Sequence, residues 1–306
     1  MKLYYEGVDI TDKVSINRCE HETYAEKRSD HLLLCFNDAD GLWNFWKPKR
    51  GEKVRLVDGA DDTGDMYVTS IQPENGLFTL RAMSMPLSGE NVNSRSWEDV
   101  RLLQIGQDIA NKHGLKFKAY DVTDHKYNYI KQEQQTDFEF FHRRCQLEGC
   151  AMLIYDGTLI MYDERQREAT DATDTIIIGA DGRFSYFDDS AQSFGTVEIV
   201  SGSYRGTFTD KNANTSRVLK PKQAIECSSN AEAARFARGL LRAANKNTRT
   251  GYFRRVLTRG ISAASVINIE TEKASVWNGK VIITRARHDF LTGETKIWFR
   301  KPLEGY

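Results

Sequence analysis

The chain has 306 residues, with 43 Lys plus Arg against 43 Asp plus Glu, and 11% of its residues are aromatic. This zero formal net charge gives no global attraction to nucleic acid or to an anionic membrane. The five cysteines form no CxxC pair, which disfavours a zinc ribbon or a disulfide framework and favours reduced thiols in a protein made in a cytoplasm. The start, MKLYYEGVDITDK, lacks an apolar core of signal-peptide length, and no apolar run is long enough for a membrane span. We therefore expect a soluble chain without a classical export signal.

The first segment, residues 1–94, is predicted to form a small β-barrel or sandwich. HLLLCF places Leu32, Leu34 and Phe36 on one face of a strand, and VRLV, GDMYVTSI and GLFTLRAM follow between Gly, Asp and Pro turns. Trp43 and Trp46 lie close together after the first of these strands. Such aromatic residues usually close the end of a barrel, and the alternative is an exposed pair that binds a sugar or a protein partner.

The middle segment, residues 95–164, changes to helical periodicity. Ser96 and Asp99 fit a capping box, and Gly114 is a suitable helix end. Between them, apolar side chains recur at helical spacing, at Leu102, Ile105 and Ile109. KFKAY is predicted to be a short strand.

A second helix and a hairpin complete this segment. Thr136 and Glu139 form another capping box, and Gly149 is a natural C-terminal stop. The apolar face of the helix carries Phe138, Phe141 and Cys145. AMLIY and TLIMY flank Asp156-Gly157, a strong signal for a two-residue hairpin turn. The segment is thus predicted to be a small α/β domain.

The last segment, residues 165–306, returns to strands and is predicted to be a second β-barrel with one helix. Asn230 is the expected helix cap, and the apolar side of the helix is formed by Ala233, Ala237, Leu240 and Ala244. Its other side carries the basic residues Arg235, Arg238, Arg242 and Lys246. A solvated face explains this pattern, and a contact surface for an acidic partner or for passing DNA is the alternative.

A weak internal repeat links the first and last segments. VRLV, GDMYVTSI and GLFTLR match VINI, GKVIITRA and GETKIWFR, with Gly64 aligned to Gly279 and Thr69 to Thr284. Each copy is expected to be a meander of three strands. Two unrelated meanders could also match by chance, because a convincing repeat usually has more copies.

No catalytic, metal or cofactor motif is found. The six histidines have no HxxxH or HExxH spacing, and GxSxG, GxGxxG and P-loop motifs are absent from the sequence. Carboxylates such as Glu20 and Glu22 are numerous, but a sequence does not give the separation that a glycosidase pair needs. We therefore expect a non-enzymatic protein without a cofactor or metal.

Five pieces together resemble the late control protein D family, the baseplate hub proteins of contractile phage tails. They stand in the chain in the order RSDHLLLCFNDADGLWNFWKPKRGEKVRL, SWEDVRLLQIGQDIANKHGL, the 135–164 helix and hairpin, SSNAEAARFARGLLRA and WNGKVIITRARHDFLTGETKIWFR. The resemblance covers nearly the whole chain. It implies two tube-like β-barrels with a small α/β insertion, and the segments above are its expected domains.

The resemblance also implies a role. Such hubs are trimers on the tail axis, and two barrels per chain place six around a ring, between a sixfold tail tube and a threefold spike. The expected partners are the spike, the tube or tube-initiator protein, other baseplate proteins and the tape measure protein. The expected location is the virion, after assembly in the bacterial cytoplasm, with the spike tip on a separate polypeptide. The alternatives are a glycan hydrolase with a carboxylate pair in a cleft, and a carbohydrate-binding module that exposes Trp43 and Trp46 together.

Overall fold

The computed structural model describes residues 1–179, 182–303 and 306. Most of the regular structure is β-strand, in one large antiparallel-rich sheet and three small ones. The expected mainly β fold with an α+β insertion is confirmed. No helix in this described part is long and apolar enough to cross a membrane.

The first β unit contains eight strands and one short helix. Six of its strands pair in the order β1-β5-β7-β8-β4-β3, and β2 and β6 add to β1 and β5. Alternate side chains of these strands form a buried core that includes Leu34, Phe36 and Phe78. The elements are β1 (Lys2–Tyr5), β2 (Val8–Asp9), β3 (Ser15–Tyr24), β4 (His31–Asn37), α1 (Leu42–Trp46), β5 (Lys53–Asp58), β6 (Asp61–Asp62), β7 (Met66–Glu74) and β8 (Leu77–Met83).

The middle unit begins with a long two-stranded ribbon and continues as helices packed on a three-stranded sheet. In that sheet the order is β10-β13-β12, with β10 and β13 parallel. The elements are β9 (Val92–Arg101), α2 (Leu102–Lys112), β10 (Lys116–Tyr120), β11 (Lys126–Thr136), α3 (Asp137–Leu147), β12 (Cys150–Tyr155), β13 (Thr158–Asp163) and α4 (Glu164–Ala169).

The rest of the chain is shared between the middle unit and a second β unit. The second β unit has the strand order β14-β20-β21-β22-β19-β15. The elements after α4 are β14 (Thr175–Ile178), β15 (Phe184–Asp188), β16 (Thr196–Ser201), β17 (Tyr204–Thr209), β18 (Val218–Leu219), α5 (Asn230–Asn245), β19 (Arg249–Val256), β20 (Val266–Thr271), β21 (Gly279–Asp289) and β22 (Glu294–Arg300).

Strands β16–β18 and helix α5 belong to the core of the middle unit. Phe236 and Leu241 of α5 are fully buried with Phe141 and Leu147 of α3. Gly239 permits this close crossing, because a Cβ there would lie 2.2 Å from the carbonyl oxygen of Leu147. The segment 165–306, expected to be one barrel domain, is thus divided between two cores.

The local signals around 136–157 are confirmed. The Thr136 side chain accepts from the Glu139 N–H while the Glu139 carboxylate accepts from the Thr136 N–H, as a capping box requires. Gly149 has φ +73° after α3. Asp156 and Gly157 both have positive φ in the two-residue turn between β12 and β13.

Two predicted caps are wrong. Residues 96–101 continue β9, because they pair with β11 from Lys126 to Lys131, and Arg101 precedes α2 without a side-chain cap. The cap of α5 is Ser229, whose hydroxyl accepts from the Glu232 N–H. The Asn230 side chain instead accepts from the Arg205 N–H at 2.9 Å.

The internal repeat is visible in the backbone. Strands β5, β7 and β8 form one antiparallel meander, and β20, β21 and β22 form the other. The pairing of β7 with β8 skips Thr69, and the pairing of β21 with β22 skips Thr284, so both copies have a β-bulge at the aligned threonine. A bulge at the same place in both meanders favours a true repeat over a chance match.

Candidate functional site

The two β units are joined side by side by strands β3 and β21. The second half of β21 pairs antiparallel with the end of β3, from Arg285 opposite Tyr24 to Asp289 opposite Glu20. This pairing merges both units into one sheet of fourteen strands. We call it the unit junction, and it is the best-defined interface between the two repeats.

Opposite charges face each other across the unit junction. Glu22 on β3 accepts from Arg285 on β21 at 2.7 and 2.8 Å, and Glu20 lies 3.6 Å from Arg287. Burial alone would raise the pKa of Glu22, but hydrogen bonds from Tyr24 and Arg285 hold it below its usual value. Since Arg285 and Arg287 are about a third exposed, each ion pair adds at most about 1 kcal/mol, and their main effect is to fix the register.

A connecting loop of the second β unit reinforces the unit junction. Arg259 lies 2.7 Å from the Asp58 carboxylate, and the Gly260 N–H donates to Asp61 at 2.7 Å. The Ala263 N–H donates to the Thr23 hydroxyl at 2.8 Å. The loop therefore lies on the turn between β5 and β6 of the first β unit.

A cavity of about 260 Å³ beside the unit junction contains carboxylates and two histidines. Burial raises the pKa of Asp30 to about 7 and raises that of Asp61, while burial and His288 lower the pKa of His21 to about 3. His288 is held by Thr295 and by the Ile261 carbonyl. Asp62, the third carboxylate, is paired with Arg55.

Two carboxylates of this cavity are hydrogen-bonded to the backbone. The Asp61 carboxylate accepts from the Gly260 N–H, and the Asp30 carboxylate accepts from the Tyr24 N–H at 2.8 Å. These bonds tie both side chains to the backbone of the unit junction. Among the described residues, no cluster of three or more His, Cys, Asp or Glu could hold a metal ion.

The basic residues of α5 do not form one exposed face. Arg242 is 3% exposed and Lys246 is 2% exposed, so the expected solvated face is corrected for these two positions. Arg235 and Arg238 are only half-buried, and together with Arg242 they line a polar cavity of about 300 Å³. Arg235 is itself paired with Glu148 at 2.6 Å.

Arg242 and Lys246 belong to a buried ion network that ties α5 to α4 and β22. Three cations, from Arg242, Lys246 and Arg300, face carboxylates of α4 and of the loop after β3. Burial alone would raise the pKa of Glu164, but Lys246, Arg300 and Arg242 lower it to about 2. The carboxylates of the network are Glu26, Glu164 and Glu168.

Sequence reasoning missed both the ion network and the unit junction. Glu164 and Glu168 have i,i+4 spacing on a short helix, which was the local signal, but their cations come from 74 or more positions away. The opposite charges of Glu22 and Arg285 are likewise far apart in the chain. Long-range pairing of this kind leaves no periodic pattern.

Trp43 and Trp46 differ in burial. Trp43 is 3% exposed and stacks on Phe78 with 4.9 Å between ring centroids, so it closes the core of the first β unit. Trp43 thus agrees with the preferred interpretation, a residue that closes the end of a barrel, and the alternative of an exposed tryptophan pair is wrong at Trp43. Trp46 is 43% exposed, and its neighbour Phe45 is 88% exposed. These two rings form an apolar patch at the end of α1.

The fold is shared with solved tail proteins. A 43 kDa tail protein of prophage MuSo2 from Shewanella oneidensis has a TM-score of 0.75, 13% identity and 98% coverage of each chain. The tail protein from Neisseria meningitidis MC58 has a TM-score of 0.75 and 12% identity, over 98% of this chain and 95% of that one. An Escherichia coli component of the type VI secretion system has a TM-score of 0.63 and 11% identity, over 100% and 79%.

Sequence comparison adds no assignment. Neither a protein-family model nor a curated protein matches the chain. The chain thus has the fold of phage tail proteins and of a related secretion-system component, and at these identities the similarity shows the fold alone.

Proposed function

We propose that this protein is the structural baseplate hub of a contractile phage tail, or of a phage-tail-like particle, in the manner of the late control protein D family. Three copies form a ring of six β units that joins a sixfold tail tube to a threefold central spike. The protein is non-enzymatic and uses no cofactor. It acts in the virion after assembly in the bacterial host cytoplasm.

One observation carries this proposal: the chain holds two copies of the same bulged meander and joins them side by side in one sheet. A chain with two similar units can present three identical surfaces on one side and six similar surfaces on the other. A symmetry adaptor needs this property, whereas an isolated enzyme does not. The tail-protein fold supports the same role.

The proposed partners are those that the resemblance to the late control protein D family implies. The threefold side takes the spike, and the sixfold side takes the tube or tube-initiator protein. Other baseplate proteins and the tape measure protein complete the set. The half-buried pair Arg235 and Arg238 and the exposed Trp46 are the proposed contact residues that remain accessible. Neither membrane insertion nor sequence-specific nucleic-acid binding is part of the proposal.

The mass in solution tests the proposal. The purified chain is measured by light scattering over a concentration series, alone and mixed with the spike protein of the same particle, and is assayed for cell-wall hydrolysis. A trimer of the 35.0 kDa chain without hydrolytic activity is the expected result. A monomer that ignores the spike, or hydrolysis that is lost in Asp61→Asn, contradicts the proposal.

A further inference from the structure

The internal repeat leaves two strand edges without the neighbour that their counterparts have. Within the chain, β3 of the first β unit pairs with β21 of the second. The counterpart of β3 in the second unit is β15, which pairs with β19 alone in the described part of the chain. The counterpart of β21 in the first unit is β7, where residues 70–74 pair with no described strand other than β8.

These two edges fit each other in register. The shared bulge aligns Thr69 of the first unit with Thr284 of the second. The strand pairings lead from β7 through β8 and β4 to β3 in the first unit, and from β21 through β22 and β19 to β15 in the second. Following them residue by residue aligns His21 with Tyr186. Transferring the register of the unit junction then gives five opposed pairs. They are Ser70 with Asp189, Ile71 with Asp188, Gln72 with Phe187, Pro73 with Tyr186, and Glu74 with Ser185.

We propose that β7 of one copy pairs antiparallel with β15 of the next copy of this chain, in this register, and so repeats the unit junction between molecules. The inference rests on the proposed trimer and specifies its interface. Such a contact is heterologous, because two different edges meet, and repeated around an axis it closes into a ring. In a ring of three copies, three junctions within chains then alternate with three junctions between chains.

The surface of the two edges agrees with burial between copies. Phe187 on β15 is 52% exposed. A large apolar side chain exposed at a strand edge favours pairing with another strand that covers it. Opposite charges come close together in this register. Glu74 lies diagonally opposite Arg183 of the next copy. Ser70 lies between Arg81 of its own chain and Asp189 of the next copy. Pro73 has no backbone N–H to donate, which makes this junction weaker than the one within the chain.

The connecting loops give a second, independent argument. Within the chain, the loop of residues 257–263 lies on the β5–β6 turn through Arg259 and Gly260. The corresponding loop of the first unit carries the exposed Phe45 and Trp46. In the proposed ring this loop lies on the turn after β20 of the next copy, where Val276 is 74% exposed. The contact would bury these apolar groups together.

Disulfide crosslinking tests the register. Gln72 and Phe187 take the positions of Arg287 and Glu22, whose side chains share one face of the unit junction, so Gln72→Cys with Phe187→Cys should crosslink adjacent copies. The control pair Gln72→Cys with Asp188→Cys points to opposite faces of the sheet. The pair Glu22→Cys with Arg287→Cys should close within one chain, and each single variant shows the background of the five native cysteines.

The predicted result is a covalent ladder that ends at trimer and is at least about tenfold more abundant than in the face-flipped control. Equal crosslinking of both pairs overturns the proposed register. A trimer by light scattering that does not crosslink overturns this inference and leaves the proposed function standing. A chain that is monomeric at every concentration and does not crosslink overturns both.

A second variant tests the loop contact. Trp46→Ser should raise the concentration at which the trimer forms at least about tenfold, because it removes an apolar contact between copies. Tyr120→Ser is the matched control, since Tyr120 is 51% exposed on the middle unit, away from both edges. Equal effects of the two substitutions contradict a specific role of the α1 loop in the ring.

Discussion

Arg242→Met is predicted to lower the free energy of unfolding by about 3–5 kcal/mol, because it leaves buried carboxylates without one of their cations. The network balances three cations with three carboxylates, and Arg242 contacts both Glu164, at 3.2 Å, and Glu168. Arg242 is 3% exposed, so water does not compensate for the missing charge. Methionine keeps much of the side-chain volume and isolates the electrostatic effect.

The double variant Arg242→Met with Glu168→Gln should be more stable than the single variant. Removing one charge of each sign restores the balance among Lys246, Arg300, Glu26 and Glu164. We expect it to recover at least about 1 kcal/mol relative to Arg242→Met, and adding the single variant Glu168→Gln completes the double-mutant cycle that gives the coupling between the two side chains.

Urea unfolding followed by circular dichroism measures both effects. Arg254→Met is the control, because the Arg254–Glu294 ion pair lies at the surface and should cost less than about 1 kcal/mol. If Arg242→Met costs no more than Arg254→Met, or if the double variant is no more stable than the single one, the network does not have the proposed role.

Three further predictions concern stability. Gly239→Ala should cost about 1–3 kcal/mol in urea unfolding, since its Cβ would meet the Leu147 carbonyl at 2.2 Å and force α3 and α5 apart; an unchanged midpoint contradicts the close crossing. The raised pKa of Asp30, about 7, means that stability is lost as pH rises from 3.8 through 7. Asp30→Asn should therefore raise the free energy of unfolding at pH 8 by up to about 4 kcal/mol, seen as a higher melting temperature, and leave both nearly unchanged below pH 4. A lower melting temperature of the variant at pH 8 contradicts this reasoning. The lowered pKa of Glu164, about 2, gives stability that is present above pH 4.5 and lost as pH falls towards 2. The advantage of the wild type over Glu164→Gln in melting temperature should shrink over that range, and a constant difference contradicts the assignment.

Local signals in the sequence predicted those elements that depend on local contacts. The Thr136–Glu139 box and the Asp156-Gly157 turn use neighbours within a few residues, and both are present. The box at Ser96 and Asp99 failed because β11 competes for the same backbone and keeps it extended. Propensity yields to tertiary pairing where the two disagree.

The candidate site could be predicted only in part. The aligned glycines Gly64 and Gly279 indicated two similar meanders, and the sequence therefore contained the basis of the adaptor hypothesis. The burial of Arg242 and Lys246 depends on ion pairs with α4, which lies more than 70 positions earlier in the chain. Helical spacing alone therefore indicated that both side chains are exposed. For the same reason the sequence did not indicate that α5 packs in the core of the middle unit.

An electron cryo-microscopy image of the assembled protein, viewed along its axis, tests the proposed ring of six β units. We predict a closed ring of three chains with six β units, in which β7 of one chain lies beside β15 of the next. A ring in which the β units of neighbouring chains do not meet, or a particle with one chain only, would contradict it.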